Sequence, residues 1–256
     1  MSDLVFILTR REISGRYRGS FLGSLWPVVT PLIMLGVYTV VFGVILPSRW
    51  PGAEGQGMGL FALRLLSGML VHGLLAEVMT KAPTLLTSQP NYVTKMVFPL
   101  EALAGVSVLT AMFHVGLALV VLLLINGLAG TGLAWAQISL PVLLAPFCLL
   151  LLGLAWAVAA LGVYIRDMNQ LMGPVVTVLM FLAPVFYPRS ALPPSLQPWL
   201  ALNPITVPIE QFRRVLFDGQ WPDWSSFWQY TAISVVVCMA GLWLFSTLRK
   251  GFADVL

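Results

Sequence analysis

The feature that most constrains this chain is a series of six long apolar segments separated by short polar stretches. Of its residues, 59% are hydrophobic and only 9% are charged, whereas a soluble domain has about 25% charged residues. A helix needs about 20 apolar residues to cross the hydrocarbon core of a bilayer. The segments therefore predict an all-α integral membrane protein with six transmembrane helices. We place the spans at 28–46, 60–80, 100–125, 138–165, 171–187 and 227–248.

A basic segment precedes the first span and ends at Trp26 and Pro27. Lys and Arg favour the cytoplasmic side of a membrane, and Trp favours the headgroup level. We therefore predict that residues 1–26 form an interfacial helix that turns into the first span. The basic residues lie at the ends of apolar runs, which indicates membrane orientation rather than nucleic-acid binding. The arginines of this segment are Arg10, Arg11, Arg16 and Arg18.

The distribution of Lys and Arg along the chain predicts that both termini are cytoplasmic. An even number of spans returns the chain to the side on which it began. With a cytoplasmic N-terminus, the inside segments hold most of the 14 basic residues, as the positive-inside rule requires. The polar interruption at 81–99 is then also cytoplasmic.

The connection at 188–224 is too apolar for an ordinary loop and too rich in proline for one helix. One interpretation is a set of short helices forming a re-entrant hairpin, whose backbone is satisfied by the surrounding protein. The other is a loop on the outer interface, anchored by Trp199, Trp221 and Trp224.

The second span contains three ionisable residues, Arg64, His72 and Glu77. Arg64 and His72 are eight residues apart and share a helical face. Polar groups inside a membrane usually face a bundle interior or a wet cavity, so a proton relay or a substrate contact is one interpretation. In the other, Arg64 and Glu77 extend to opposite interfaces and leave only His72 inside. We interpret His114, in the third span, as a packing residue.

The sequence contains no recognisable motif for catalysis, metal binding or ATP hydrolysis. HExxH, GxSxG and paired Cys/His spacings are absent, and Cys148 and Cys238 fall inside apolar runs. None of the three lysines follows a glycine, so there is no GxxxxGK[ST] phosphate loop. We therefore expect no cofactor or metal in this chain, and an ATP-driven process would need a partner.

Four motifs follow one another around the apolar segments. They are RRE-x3-RY-x2-S-x-LG-x-LWPVVTP from Arg10, NYVTKMVFPLEAL from Asn91, YIRDM from Tyr164, and APVFYP from Ala183 followed by LP and NP. In this order they resemble the membrane subunit of ABC-2 type exporters for bacterial surface polysaccharides and polyol phosphates, such as O-antigen, capsule and wall teichoic acid. The resemblance covers nearly the whole chain.

This resemblance implies a homodimer in the bacterial inner membrane, completed by two copies of a cytoplasmic ATP-binding subunit. ATP hydrolysis in that subunit would drive a lipid-linked glycan, typically on undecaprenyl diphosphate, through a channel at the dimer interface. Aromatic side chains suit such a channel, because their faces contact sugar rings without demanding one hydrogen-bond pattern. The channel candidates are Tyr38, Phe42, Phe181, Phe186 and Tyr187.

The resemblance also implies roles for individual segments. Arg166 and Asp167 would lie beside the cytoplasmic gate, and 188–224 would form the outer gate. The four N-terminal arginines would belong to the interfacial helix and are candidates to attract the diphosphate, although orientation alone also explains them. The coupling helix seated in the ATPase subunit would contain Gln89, Pro90, Asn91, Tyr92 and Lys95.

Two other classes of function remain as alternatives. An ion- or proton-coupled secondary transporter would need no partner and is supported by the ionisable residues of the second span, but the hydropathy pattern shows no inverted repeat. An intramembrane enzyme acting on lipid-linked sugars would need an acid or base in a wet site. Its candidates are scattered: Glu77, Glu101, Asp167 and Glu210.

Overall fold

The computed structural model of the chain describes residues 2–41, 45, 58–89, 92, 98–129 and 131–255. Within these residues the regular structure is helical and there is no β-strand, so the all-α prediction is confirmed for the part described. We number the helices α1 Ser2–Arg16, α2 Trp26–Val40, α3 Met58–Lys81, α4 Thr84–Thr87, α5 Glu101–Ala129, α6 Leu140–Tyr164, α7 Met168–Phe181, α8 Gln197–Leu200, α9 Thr206–Leu216, α10 Trp224–Leu248 and α11 Phe252–Val255.

Four of the described helices, α3, α5, α6 and α10, are long and apolar enough to cross a membrane. The other two apolar helices, α2 and α7, have 15 and 14 residues, or about 21–23 Å at 1.5 Å per residue. Helix α7 ends at Phe181, earlier than the predicted limit of 187, and a turn follows at 182–185. Pro184 explains this end, because it has no N–H with which to continue the helical ladder.

Two glycines allow α6 and α10 to approach each other at backbone distance. A Cβ atom on Gly153 would lie 2.6 Å from the Cys238 Cα atom, and one on Gly241 would lie 2.6 Å from the Gly153 carbonyl carbon. Small residues at such crossings are typical of helix pairs in membranes, where close packing replaces the hydrophobic effect.

We expect Gly241→Val to destabilise the protein by about 1–3 kcal/mol or more, because this is the usual cost of inserting atoms into a tightly packed contact. The α6 and α10 backbones would have to separate along this crossing. Thermal unfolding of the detergent-solubilised protein measures the effect. Gly116→Val is the matched control, because no atom lies within 4 Å of the Cβ it would add, and an equal loss of stability in both variants would contradict the prediction.

The connection between α7 and α10 is not a surface loop throughout. Helix α9 packs against α3 and α6, and its side chains Ile209, Phe212 and Val215 are at most 1% exposed. The preceding residues, including α8, lie largely at the surface.

Candidate functional site

The first candidate site is the place where α1 meets α3, α5 and Tyr92, which we call the N-terminal joint. Helix α1 lies alongside the first half of α5 and runs in the same direction. Val5 is 3.9 Å from the position of a Cβ on Gly105, and Arg16 contacts His114 nine residues farther along α5. The polar residues of the joint are Arg11, Glu12, Arg16, Glu77, Lys81, Tyr92 and His114.

Glu77 is the centre of the N-terminal joint. Its carboxylate pairs with the Arg16 guanidinium, and the His114 Nδ1 atom lies 3.1 Å from one of its oxygens and 3.2 Å from the other. The Arg16 Nη1 atom is also 3.0 Å from His114 Nδ1. Glu77 and His114 are largely buried, whereas the Arg16 side chain is 50% exposed. One carboxylate thus connects α1, α3 and α5.

The joint extends to the polar interruption between α3 and α5. The Arg11 Nη2 atom donates to the Tyr92 hydroxyl at 3.3 Å, and the Tyr92 ring stacks on Phe98 with their centroids 4.7 Å apart. At the end of α3, Lys81 pairs with Glu12 of α1. Helix α1 is therefore attached both to the helix before the interruption and to Tyr92 within it.

The remaining residues of the predicted coupling helix give little structural information. Gln89 is exposed just after α4, and Pro90, Asn91 and Lys95 lie outside the described residues.

The four N-terminal arginines fall into two pairs. Arg11 and Arg16 bind Tyr92 and Glu77 within the joint. Arg10 and Arg18 are exposed, and neither side chain has a hydrogen-bond or ion-pair partner among the residues that the structure describes. The guanidinium N–H groups of Arg10 and Arg18 are therefore available to a phosphate group at the protein surface.

The three ionisable residues of the second predicted span are not brought together. Arg64 pairs with Asp218 at 3.2 Å, and Glu77 belongs to the N-terminal joint. Between them, the His72 Nε2 atom lies 3.2 Å from the Val176 carbonyl oxygen of α7. Each residue thus contacts a different part of the chain, so the three do not form a relay with one another.

The second candidate site surrounds Arg213, a buried cation of α9 that is 7% exposed. Its Nη2 atom donates to the carbonyl of Val185 at 2.6 Å and to that of Arg64 at 3.1 Å. Its Nε atom also reaches the Arg64 carbonyl, at 3.2 Å, and Nη1 donates to the Pro184 carbonyl. One side chain therefore joins α9 to α3 and to the turn after α7. We call Arg64, Gly68, Pro184, Val185 and Arg213 the Arg213 cluster.

Gly68 makes room for this side chain. A Cβ on Gly68 would lie 2.9 Å from Arg213 Nη2. Gly68 is ten residues, or about 15 Å, from the start of α3, so the guanidinium of α9 reaches well inside the helix bundle. The guanidinium keeps its charge at neutral pH, because arginine is not deprotonated in proteins.

The C-terminal end of α9 is held by side chains from outside the segment. The Leu216 carbonyl accepts hydrogen bonds from the amide groups of Asn126 and Gln137, each at 3.2 Å. Carbonyls at a helix end have no partner within the helix, so these two amides satisfy one of them.

The residues predicted beside the cytoplasmic gate and in the channel occupy separate places. Arg166 and Asp167 are exposed in the turn between α6 and α7. Phe181, Phe186 and Tyr187 form one group: the two phenylalanine centroids are 5.8 Å apart, and the Tyr187 hydroxyl donates to the Phe181 carbonyl at 2.9 Å. Tyr38 is half-buried in α2, and Phe42 lies outside the described residues.

Sequence reasoning missed the roles of His114 and Arg213. The sequence predicts a packing role for His114, whereas its ring contacts the Glu77 carboxylate. No motif in the sequence singles out Arg213. The one sequence signal that could have found it is the spacing of Ile209, Phe212 and Leu216, which places Arg213 beside an apolar helical face.

The described residues contain no group of three or more His, Cys, Asp or Glu side chains that could hold a metal ion. The two sites instead consist of ion pairs and carbonyl contacts that join helices. Their chemistry suits the mechanical connection of helices rather than bond making or breaking.

Comparison with known proteins finds relatives aligned over nearly the full length of the chain. The chain is 26% identical over 253 residues to the O-antigen export system permease protein RfbA of Myxococcus xanthus, covering 98% of this chain and 94% of that protein. It is 21% identical over 258 residues to the protein of the same name from Klebsiella pneumoniae, covering 99% and 95%. A second Klebsiella pneumoniae protein of that name is 20% identical over 262 residues, covering 99% and 95%.

The sequence profile of the ABC-2 type transporter family matches residues 3–217. This profile describes a membrane subunit without a catalytic domain, so the chain is a multi-pass permease subunit rather than an enzyme. Because the match extends over most of the sequence, the chain belongs to the ABC-2 type transporter family.

Proposed function

We propose that this chain is the permease subunit of an ATP-driven exporter of a lipid-linked polysaccharide, such as O-antigen on undecaprenyl diphosphate. Relatives aligned over nearly the full length are named O-antigen export permeases. The observation that carries the proposal is the N-terminal joint, which connects Tyr92 to α1, α3 and α5. A permease without an ATP-binding motif needs such a connection to receive work from a partner.

The proposed topology has six spans, with both termini on the cytoplasmic side of the bacterial inner membrane. Helices α2 and α7 are the first and fifth spans, and α9 is the deep part of a re-entrant segment. Support for the re-entrant part comes from the Arg213 cluster, because non-helical backbone within a membrane must be satisfied by protein or a wet cavity. Here Arg213 satisfies the carbonyls of Pro184 and Val185.

Two copies of a cytoplasmic ATP-binding subunit supply the energy, each seated against the coupling helix around Tyr92. When that helix moves, Arg11 transmits the displacement to α1, and the Glu12–Lys81 and Arg16–Glu77 pairs transmit it to α3. The contact between Glu77 and His114 transmits the same displacement to α5. Arg166 and Asp167 lie beside the cytoplasmic gate in this arrangement.

A homodimer encloses the export path. A lipid-linked polymer is too long to be sealed inside one subunit, so a continuous channel between two copies is the simplest route. The short helices α2 and α7 expose apolar side chains that suit this seam, among them Ile33, Val37, Val178 and Phe181. Phe181, Phe186 and Tyr187 would then offer aromatic faces to passing sugars.

The diphosphate of the lipid carrier would meet Arg10 and Arg18 at the inner leaflet. The side chains of these two arginines have no protein partner among the described residues, and a basic residue near an anionic surface contributes about 1 kcal/mol of attraction. Arg11 and Arg16 contribute less, because the joint already engages their donors.

Deletion of the gene in its native host, with the neighbouring genes intact, tests the proposed function. We expect polysaccharide to accumulate inside the cell and to disappear from the surface, and plasmid-borne wild type to restore it. As a biochemical test, we expect an ATPase subunit to co-purify with the protein. Transport by the purified chain alone, without any ATPase, would instead favour a secondary transporter.

The Tyr92→Asp variant tests the coupling route. We expect it to insert normally but to export little, because a carboxylate cannot stack on Phe98 or occupy an apolar docking site without a desolvation cost. Surface polysaccharide and ATPase activity of the purified complex are measured together. Tyr92→Phe, which keeps the ring and loses only the Arg11 hydrogen bond, should retain most activity. Normal export by Tyr92→Asp would rule out the assigned route.

A further inference from the structure

The segment between α7 and α10 contains two fully described stretches of 15 residues that differ in burial. In 188–202 only Leu200 is buried, whereas 11 residues of 203–217 are buried. The large side chains Trp199 and Leu202 of the first stretch are 70% and 74% exposed. A single proline-rich connection thus contains one part at the surface and one part within the bundle.

The second stretch is fastened along its whole length. At its start, Asn203 Nδ2 donates to the Leu179 carbonyl of α7 at 2.7 Å, and the Tyr230 hydroxyl of α10 donates to the Pro204 carbonyl at 2.8 Å. The Arg213 cluster fixes its middle, and the amides on the Leu216 carbonyl fix its end. Helix α9 cannot move relative to its neighbours without breaking these buried contacts.

The first stretch has no comparable attachment. Apart from the Asn203 N–H bond to the Leu200 carbonyl at its end, the hydrogen bonds of residues 188–202 that the structure describes stay within that range. Its polar contact with the rest of the protein is the Arg189 guanidinium, 3.8 Å from the Glu210 carboxylate. Segments with few buried contacts and local hydrogen bonds are the ones that open at low cost.

An apolar cavity of about 400 Å³ lies between the first stretch and the end of α7. Leu182 and Tyr187 line one side, and Leu192, Leu196 and Trp199 line the other. The cavity gives the first stretch space to move toward α7 without displacing the helices beneath it.

We propose that residues 188–202 form a movable lid and that residues 203–217 form its fixed base, with Asn203 as the junction. The base moves only together with α3 and the turn after α7, to which Arg213 binds it, whereas the lid moves on its own over the cavity. Resting on the proposed function, this assigns opening of the outer end of the export path to the lid and not to α9.

Distance measurements by pulsed EPR test the division without any assay of export. In a Cys148→Ala, Cys238→Ala background, one spin label at Gly59→Cys of α3 is paired with a label at Ser195→Cys in the lid. In a matched protein the label at Gly59→Cys is paired with a label at Gln220→Cys, just beyond the base. All three labelled positions are exposed. Dilution with unlabelled protein in nanodiscs removes distances between copies. We expect a broad distribution for the lid pair and a narrow one for the base pair.

Gly68→Ala then tests the part played by Arg213. The added methyl group displaces the guanidinium from α3, so the narrow distribution of the base pair should broaden. Gly73→Ala is the matched control on the same helix, because its Cβ would meet no atom within 4 Å. Equal widths for the lid and base pairs, or no effect of Gly68→Ala, would overturn the division.

Cross-linking tests what the lid does. A reducible bifunctional thiol reagent joins Leu182→Cys to Trp199→Cys across the cavity. In a control protein it joins Arg214→Cys to Gln220→Cys at the end of the base, where both residues are exposed and the Gln220 N–H donates to the Arg214 carbonyl at 3.2 Å. We expect the first link to abolish surface export until it is reduced, and the second to leave export at its uncross-linked level. If both cross-links inhibit export equally, or if neither cross-link inhibits it, the proposed role of the lid is wrong. If wild type itself exports nothing, the proposed function fails while the EPR result still decides the division.

Discussion

Glu77→Ala is expected to release the C-terminal end of α1 from α3 and α5 and to reduce export at least about tenfold. A tenfold change corresponds to a loss of about 1.4 kcal/mol of interaction free energy. A charge-assisted hydrogen bond contributes about 1.5–3 kcal/mol. The Arg16 side chain is half-exposed, so solvent screening reduces the stabilisation that its pair with Glu77 provides. The variant also leaves Arg16 and the largely buried His114 facing each other without a carboxylate. Protease accessibility of α1 and surface polysaccharide measure the two effects.

Glu77→Gln separates the shape of this residue from its charge. The amide fills the same space and keeps one acceptor oxygen but lacks the charge that attracts Arg16, so an intermediate phenotype is expected. Arg16→Glu combined with Glu77→Arg restores a pair of opposite charges and should recover part of the export lost by either single change. Full export by Glu77→Ala, with α1 still protected from protease, would show that the joint does not transmit movement.

The helices were the most predictable part of this structure because long apolar runs fix them. Each of α3, α5, α6 and α10 lies on one of the six segments inferred from hydropathy. Their ends were less predictable. Helix α7 stops before Pro184. Helix α9 begins at Thr206 with Pro208 in its first turn, where proline is tolerated, but the burial of α9 does not follow from composition.

The candidate sites depend on contacts between residues far apart in the chain. Glu77 and Arg16 are 61 residues apart, and Arg213 binds a carbonyl 149 residues away. No local spacing in the sequence encodes such pairs. The sequence did identify Arg64, His72 and Glu77 as costly polar residues within a span, but only the structure assigns each a separate partner.

Arg213→Ala is expected to cost several kcal/mol and to prevent accumulation of folded protein. The Pro184 and Val185 carbonyls lie in a turn and receive no other hydrogen bond from the described residues. A buried polar group left without its partner costs about 1–3 kcal/mol, and the vacated volume adds a cavity term. The Arg64 carbonyl is less affected, because it lies within helix α3. The yield of monodisperse protein and its thermal midpoint in detergent measure the loss.

The neighbouring residue provides the control for this variant. Arg214 is exposed, and its Nε atom donates to the Trp221 carbonyl at 3.0 Å, so Arg214→Ala should change stability by no more than about 0.5 kcal/mol. Arg213→Lys keeps the charge, but a single ammonium cannot reproduce a planar fork that reaches α3 and the turn after α7 together. It should therefore recover only part of the stability. If Arg213→Ala unfolds at the wild-type temperature, the guanidinium does not join these helices, and the fixed position of α9 must come from its apolar face alone.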